Sequence, residues 1–489
     1  MSKSNYKLIM AYPAIEEFAL SSLGYMWLHK LVGGERVSTD KPYFNIKEVD
    51  AVAFSISFDF DFMGVFEILE KNKIPFLASE RGEEYPLIFA GGPVITTNPE
   101  PLKQVFDFMV IGDGEGVNIE VNEIIERGLS KNETLQELAK LEGVYVPEIS
   151  NKVKKVTETL NNVIYTPIIS DKSYFKNTFI IEVARGCMNR CAFCTASYLN
   201  LPFRHYEYEK IIEAIELGLS QTNKIALLGA QISAHPEFNN IMKYLKDKMD
   251  LGINIELGIS SLRTDSVTAE LVQTLVQGGQ KTSTIAIEAA SERLRRFINK
   301  NLKEEQILNA VKIARENGLK GIKIYSMIGI PTETQEDIEE FLRLAQRIKT
   351  ENKGFDITFS FSTFVPKPQT PLQWAVREET KSLERKQKFL EKEFAKLGIG
   401  SKFSSAKWDY WQTVISRGDE SFAPLLIEVY KQGGKLGAYK STFKGHLGKT
   451  IDGFDLEDDL PWDFIENYPP KQLLVKEFNR LLKRANTDN

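Results

Sequence analysis

The segment Arg185-Gly186-Cys187-Met188-Asn189-Arg190-Cys191-Ala192-Phe193-Cys194 holds all three cysteines of a 489-residue chain. Thiolates are soft ligands suited to iron–sulfur clusters, zinc and copper(I), and three so close together can converge on one metal centre. A four-iron cluster ordinarily takes four cysteine thiolates, so three leave one iron open to a ligand from outside the chain. Structural zinc completes its four ligands from Cys and His at short spacing, whereas His205 lies eleven residues beyond Cys194. An iron–sulfur centre with an open iron is the stronger reading. An electron carrier would complete its cluster with a fourth protein thiolate; this chain has no spare cysteine, so a partner chain would have to donate it.

The C-x3-C-x2-C spacing, with Phe193 just before the last cysteine, resembles the signature of the radical SAM superfamily. The resemblance implies that Cys187, Cys191 and Cys194 are the catalytic and metal-ligating residues of a 4Fe-4S cluster. It implies further that S-adenosylmethionine (SAM) chelates the fourth iron through its amino and carboxylate groups, with Phe193 near the adenine. One-electron reduction, by a protein such as flavodoxin or ferredoxin, then cleaves SAM to methionine and a 5'-deoxyadenosyl radical, which takes hydrogen from an unactivated position of a substrate. The cofactor carries the hard chemistry, while the protein positions the reactants.

Such a loop needs a strand to deliver it, and the apolar run 178–184 is that strand. Further strand patterns lie at 224–229, 253–259, 283–288, 321–328 and 356–361, with helical periodicity between them at 208–219, 237–249, 267–276, 304–317 and 335–348. Six strand–helix units imply a partial (β/α)6 barrel, with its active site at the strand carboxyl ends. Several of those ends resemble SAM-contacting positions of the superfamily: Gly229-Ala230-Gln231, with Gln231 where an acidic residue is common; Arg263, whose guanidinium can fork onto a carboxylate; Glu288 and Ser291; and Gly329. Three prolines in 366–371 predict that the barrel stops there.

The first 130 residues also alternate strand and helix, which predicts a doubly wound, Rossmann-like parallel sheet with its ligand crevice at the strand carboxyl ends. Those ends carry Ser55, Ser57, Gly91, Gly92, Thr96, Gly112, Asp113, Gly114 and Glu115. Glycine there admits a bulky ligand or simply makes a tight turn. Ser55-Ile56-Ser57, Gly91-Gly92-Pro93 and 110–115 resemble the cobalamin-binding domain that precedes the barrel in a radical SAM subgroup. That implies cobalamin contacts at Ser55, Ser57, Gly91, Gly92, Thr96, Gly112 and Glu115. The Asp-x-His-x-x-Gly motif of some other cobalamin proteins is absent, and His29 does not supply it; an empty first domain is the competing reading. The predicted divisions are 1–130, a connector at 131–175, the barrel at 176–375 and a small, mainly helical domain at 376–489.

A hydrophobic share of 42% and a net charge of −5 fit an ordinary α/β protein and do not favour nucleic acid as a partner. No apolar run is long enough to cross a bilayer, and a cytoplasmic protein is expected. Arg293, Arg295, Arg296, Lys300 and Lys303 read as a solvated basic helix face. The function implied is methylation or rearrangement of an unactivated carbon in an unknown substrate, with cobalamin as the second cofactor. The alternatives are a radical SAM enzyme without cobalamin, for example one that modifies RNA, and a non-catalytic iron–sulfur protein.

Overall fold

The computed structural model describes residues 6–487. Its first sheet comprises β1 (Leu8–Tyr12), β2 (Glu35–Ser38), β3 (Ala51–Ser55), β4 (Leu87–Gly91), β5 (Phe108–Val110) and β6 (Val144–Tyr145), in the order β2-β1-β3-β4-β5-β6. All neighbours are parallel except β5 and β6. Successive strand residues point to opposite faces. Leu8, Met10, Ala51, Ala53, Leu87 and Phe89 pack with helices Leu23–Val32 and Glu115–Ile125. Ile9, Ala11, Val52, Phe54, Ile88 and Ala90 face the other way, against helix Phe62–Lys71. That second face also takes Trp411, Phe422, Leu426 and Tyr439, so helices Ala406–Ser416, Phe422–Lys431 and Leu436–Thr442 complete the N-terminal core.

The barrel is built from β7 (Thr178–Glu182), β8 (Lys224–Leu228), β9 (Glu256–Ile259), β10 (Thr282–Glu288), β11 (Gly321–Ile328), β12 (Asp356–Thr363) and β13 (Gly400–Phe403), all parallel and in chain order. One parallel bridge, Leu262 to Ile285, joins β7–β9 to β10–β13. The intervening helices bury stripes at three- and four-residue spacing. Ile241, Leu245 and Met249 do so in Phe238–Asp250, and Ile338, Phe341, Ala345 and Ile348 in Gln335–Glu351.

The proline-rich loop does not end the sheet, contrary to expectation. Helix Thr380–Leu397 returns along the barrel, Gly398 turns in the left-handed conformation (φ 60°, ψ 41°), and β13 pairs with β12 from Thr358–Gly400 to Phe361–Phe403. Gly-Ser-Lys-Phe carries no apolar run to announce a strand. In the connector, Val153–Lys154 pairs in parallel with Ile465–Glu466, and Val156 bridges to Gly112. The final helix, Lys471–Thr487, sets Leu481 and Ala485 against Ala192, Phe297 and Leu372 beneath the cysteine loop. Among the described residues no helix is long and apolar enough to cross a membrane.

Candidate active site

Strand β7 delivers the cysteine loop to the carboxyl edge of the barrel, and four ties fix its path. Ala184–Arg185 pairs antiparallel with Arg204–His205. Gly186, at φ 86°, passes so close to Asn200 that a Cβ would lie 2.4 Å from its carbonyl oxygen, which only glycine permits. Ala192 N–H donates to Ile298 O at 2.9 Å, and Leu372 N–H donates to Ala192 O at 3.3 Å. Cys191 is buried, Cys187 and Cys194 are half-buried, and Met188 between them is 59% exposed.

The three sulfurs are free, and Cys187 lies near enough to disfavour ionisation of both Cys191 and Cys194. Burial pushes the Cys191 thiol up to about 12, against the pull of the Lys300 charge. Burial also raises Cys194, opposed by hydrogen bonds from Ser197. Bound metal deprotonates such ligands outright. Phe193 packs at the rim of the small apolar cluster under the loop.

Gln231 stands directly against the loop. Cys187 donates to its Oε1 at 3.3 Å, and Asn189 Nδ2 donates to the same atom at 2.5 Å. Gly229 precedes it, its carbonyl accepting from Ser260 Oγ at 3.1 Å. Glu288 ends β10 at a bulge and has a left-handed backbone, φ 66°, unusual for a residue with a side chain. Its carboxylate holds Lys300 Nζ at 3.0 Å. Arg263 pairs with Asp265 at 2.6 Å and reaches Lys300 O at 3.5 Å. Arg263, Glu288 and Lys300 therefore form one charged group beside Cys191.

Two other expected SAM positions have different surroundings. Ser291 donates to Asp337 Oδ1 at 2.6 Å and caps helix Glu292–Phe297. Gly329 N–H donates to Glu333 Oε1 at 2.9 Å, in a network closed by Lys386 and Glu378.

The basic cluster is a solvated face only in part: Arg296 and Lys303 are exposed, but Arg295 and Lys300 turn inward, which corrects the sequence reading for those two. Arg295 is fully buried and donates to the carbonyls of Ala289, Ala290 and Leu302, and Lys300 is only 8% exposed. Lys300 was missed because Asn-Lys-Asn reads as a surface turn. Its one local signal is the pair of flanking asparagines, Asn299 and Asn301, both at positive φ.

At the N-terminal sheet Ser57, Gly92, Thr96, Gly112 and Glu115 line a cleft that faces the barrel, whereas Ser55 and Gly91 do not, and most of the polar groups are engaged. Ser55 lies at the end of β3, opposite Gly91 in register. Ser57 is exposed, and its N–H donates to Asp61 at 2.8 Å. Thr96 Oγ1 accepts from Gly112 N–H at 3.0 Å. Glu115 binds Arg185 at 2.7 Å, and Arg185 also binds Asp113 at 2.9 Å and Glu182 at 2.8 Å. Arg204 meets the other oxygen of Asp113 at 2.6 Å. The two arginines outweigh burial and hold the Asp113 carboxyl below its usual range. This network joins the two sheets two residues before Cys187.

Two cavities occupy the cleft. One of about 340 Å³ is lined by Trp27, Gly92, Thr96, Gly112, Glu115 and Arg185, and one of about 330 Å³ by Ser57, Phe58, Asp59, Lys367 and Gln412. Pro93, Leu199 and Asn200 wall both, and helix Thr195–Leu199, whose N-cap is Cys194, stands between them. A third cavity of about 510 Å³ opens into the barrel between Glu288, Tyr325, Ser360, Ser362 and Lys402.

Fold and site together define a parallel-barrel protein whose strand ends carry a three-thiol loop, joined to a doubly wound sheet. The chain belongs to the radical SAM superfamily: residues 181–345 match that superfamily, and residues 36–147 match the N-terminal region of radical SAM proteins. The uncharacterized protein MJ0966 of Methanocaldococcus jannaschii is 31% identical over 391 residues, covering 78% of this chain and 81% of that one. Among solved structures, the cobalamin-dependent SAM radical enzyme OxsB with aqua-cobalamin bound superposes with a TM-score of 0.60 over 99% of this chain and 80% of that one, at 13% identity. The radical SAM methyltransferase TsrM of Kitasatospora setae, with cobalamin and a [4Fe-4S] cluster bound, gives 0.53 over 72% and 74%, at 14% identity. At such identities the likeness is one of fold. The protein is a radical SAM enzyme, a family that needs a reductant.

Proposed function

We propose that Cys187, Cys191 and Cys194 hold a 4Fe-4S cluster that binds SAM, and that the cleft between the sheets takes a corrinoid for methyl transfer to, or rearrangement of, an unactivated substrate carbon. The observation that carries the first part is the loop geometry. Three free thiols share one strand-end loop, and among the described residues no three Cys, His, Asp or Glu close round a single ion. Three thiolates from one loop suit a four-iron cluster with one iron left open.

The chain's own residues then have definite tasks. Gln231 offers a hydrogen-bond acceptor beside Cys187 and would serve the amino group of bound SAM. Arg263, tied to the charged group, offers donors for the carboxylate, and Glu288 offers acceptors for ribose hydroxyls. The cluster of Ala192, Phe297, Leu372 and Leu481 excludes water from beneath the loop. Electrons come from a flavodoxin- or ferredoxin-type partner, and a reducing cytoplasm suits the half-buried thiols.

A corrinoid fits the cleft in position and lining. The cleft lies at the strand carboxyl ends, where such sheets bind ligands, and its walls combine Leu23, Trp27 and Leu28 with the bare backbone of Gly92, Gly112 and Gly114. Gly92, Thr96, Gly112 and Glu115 are the residues that would hold it in that cavity, and Ser57 lines the neighbouring one. A bound corrinoid would supply the methyl group. The fold shared with OxsB over nearly the whole chain supports this assignment.

The test is anaerobic reconstitution with iron, sulfide and hydroxocobalamin, then desalting and metal analysis. About four irons and about one cobalt per chain are expected. Iron without cobalt overturns the corrinoid assignment, and protein without iron overturns the whole reading.

A further inference from the structure

Lys300 combines features that a structural lysine does not need. It is 8% exposed, its ammonium is committed to Glu288 at 3.0 Å, and its charge reaches Cys191. The backbone around it turns left-handed at Asn299 (φ 58°) and Asn301 (φ 45°), which asparagine tolerates, and at Glu288 (φ 66°), which is the costly one. Such backbone persists where the surroundings demand it. Here the surroundings are the cysteine loop. Ile298 O accepts from Ala192 N–H at 2.9 Å, and Asn299 Nδ2 reaches Arg190 O at 3.5 Å. The 298–301 segment is thus the inner support of the loop, and it carries a buried cation, Lys300, against the half-buried carboxylate of Glu288, with Arg263 close by.

We propose that Lys300 is a positioning residue whose fixed positive charge, balanced by Glu288, sets how readily the thiolate-held cluster accepts an electron. The inference rests on the cluster assignment made above. In the step concerned, one electron passes from a low-potential one-electron donor, which is oxidised, to the cluster, which is reduced; no bond forms or breaks and no proton moves. Adding that electron makes a site of low dielectric more negative. A cation held there lowers the cost, and an anion raises it. Lys300 and Glu288 therefore act in opposite directions, and the geometry keeps both close so that neither is a lone buried charge.

The experiment compares anaerobically reconstituted wild type, Lys300→Met, Lys300→Arg and Glu288→Gln. Iron and sulfide are measured first, then the cluster midpoint potential by mediated spectroscopic titration without SAM. Lys300→Met should make reduction about tenfold less favourable, a fall of about 59 mV for one electron. Glu288→Gln should shift the potential upward, and Lys300→Arg should stay near wild type. Opposite signs for the two charge-removing variants, at wild-type iron content, support the assignment; general loosening of the loop would move both the same way. Shifts of the same sign, or none in Glu288→Gln, overturn it. If Lys300→Met does not fold, an unchanged potential in Glu288→Gln still overturns the proposal. Absence of iron from wild type is a separate result: it removes the cluster reading itself.

Discussion

At the carboxyl edge of the N-terminal sheet, a Cβ at Gly92 would lie 2.5 Å from Ile56 O and one at Gly112 would lie 2.2 Å from Val156 O. Both glycines are required by the protein's own backbone, whatever the cleft contains. At the facing edge of the barrel, Gly186 likewise clears its own chain, at Asn200, but the loop it admits carries three cysteines, none of them in a disulfide. The two edges have the same architecture and opposite chemistry. In the first, Thr96, Asp113 and Glu115 satisfy neighbouring donors; in the second, strained backbone and buried charge gather around thiols. Glycine at a strand end is therefore weak evidence for a ligand, while three cysteines on one loop beside the Lys300–Glu288 ion pair are strong evidence.

The sharpest way to break the comparison is at the barrel edge. Cys191→Ala should abolish cluster retention and lower SAM cleavage by more than about a hundredfold, because loss of a ligand exceeds the usual effect of an outer-shell change. Iron analysis and methionine release check it. Full SAM cleavage with Cys191 absent would put the chemistry elsewhere.

At the N-terminal edge, two glycines in similar sequence positions should behave differently. Gly112→Ala combines positive φ (110°) with a backbone clash and should cost about 3 kcal/mol in denaturant unfolding. Gly91→Ala would meet Val110 at no less than 3.6 Å, an ordinary contact, and should cost less than about 1 kcal/mol. Equal losses would show that the 153–158 segment does not hold the edge closed.

Glu115→Gln tests whether that residue serves the cleft or the junction. It removes one of the carboxylates around Arg185 and leaves Asp113 and Glu182 in place. A loss of about 1 kcal/mol in stability is expected, the scale of a partly buried charged hydrogen bond. Unchanged stability with lost cobalt retention would instead assign Glu115 to the corrinoid.

Much of this was legible in the chain because the signals were local. The barrel strands read as apolar runs and the helices as stripes, and the thiol loop needs only spacing. What could not be read depends on distant partners. Strand β2, Glu-Arg-Val-Ser, is a polar edge, and β13 begins with glycine. Val153–Lys154 is a strand only because Ile465–Glu466 comes to it from the far end of the sequence. Arg185 lay inside the motif, yet its three carboxylate partners come from a barrel strand (Glu182), the loop after β5 (Asp113) and the start of the helix that follows (Glu115). Lys300 resembled its exposed neighbour Arg296, and only the fold decides that one is buried and the other is not.

The smallest effect concerns Asp61, whose Oδ2 accepts from Ser57 and Phe58 N–H, both at 2.8 Å. Burial raises its carboxyl to about 6, partly opposed by those two hydrogen bonds and reinforced by Asp59. The folded protein therefore holds this proton more tightly than the unfolded chain does. The sign follows from linkage: the stabilisation is fully present below about pH 4 and is lost as pH rises through about 6. Asp61→Asn removes the titration and keeps an acceptor. The stability of wild type minus that of the variant should fall by on the order of 2 kcal/mol between those limits. A flat difference would mean that the carboxylate is already ionised in the fold. The Ser57 turn would then be held by a charged cap, and the N-terminal edge would resemble the barrel edge more closely than its engaged polar groups suggest.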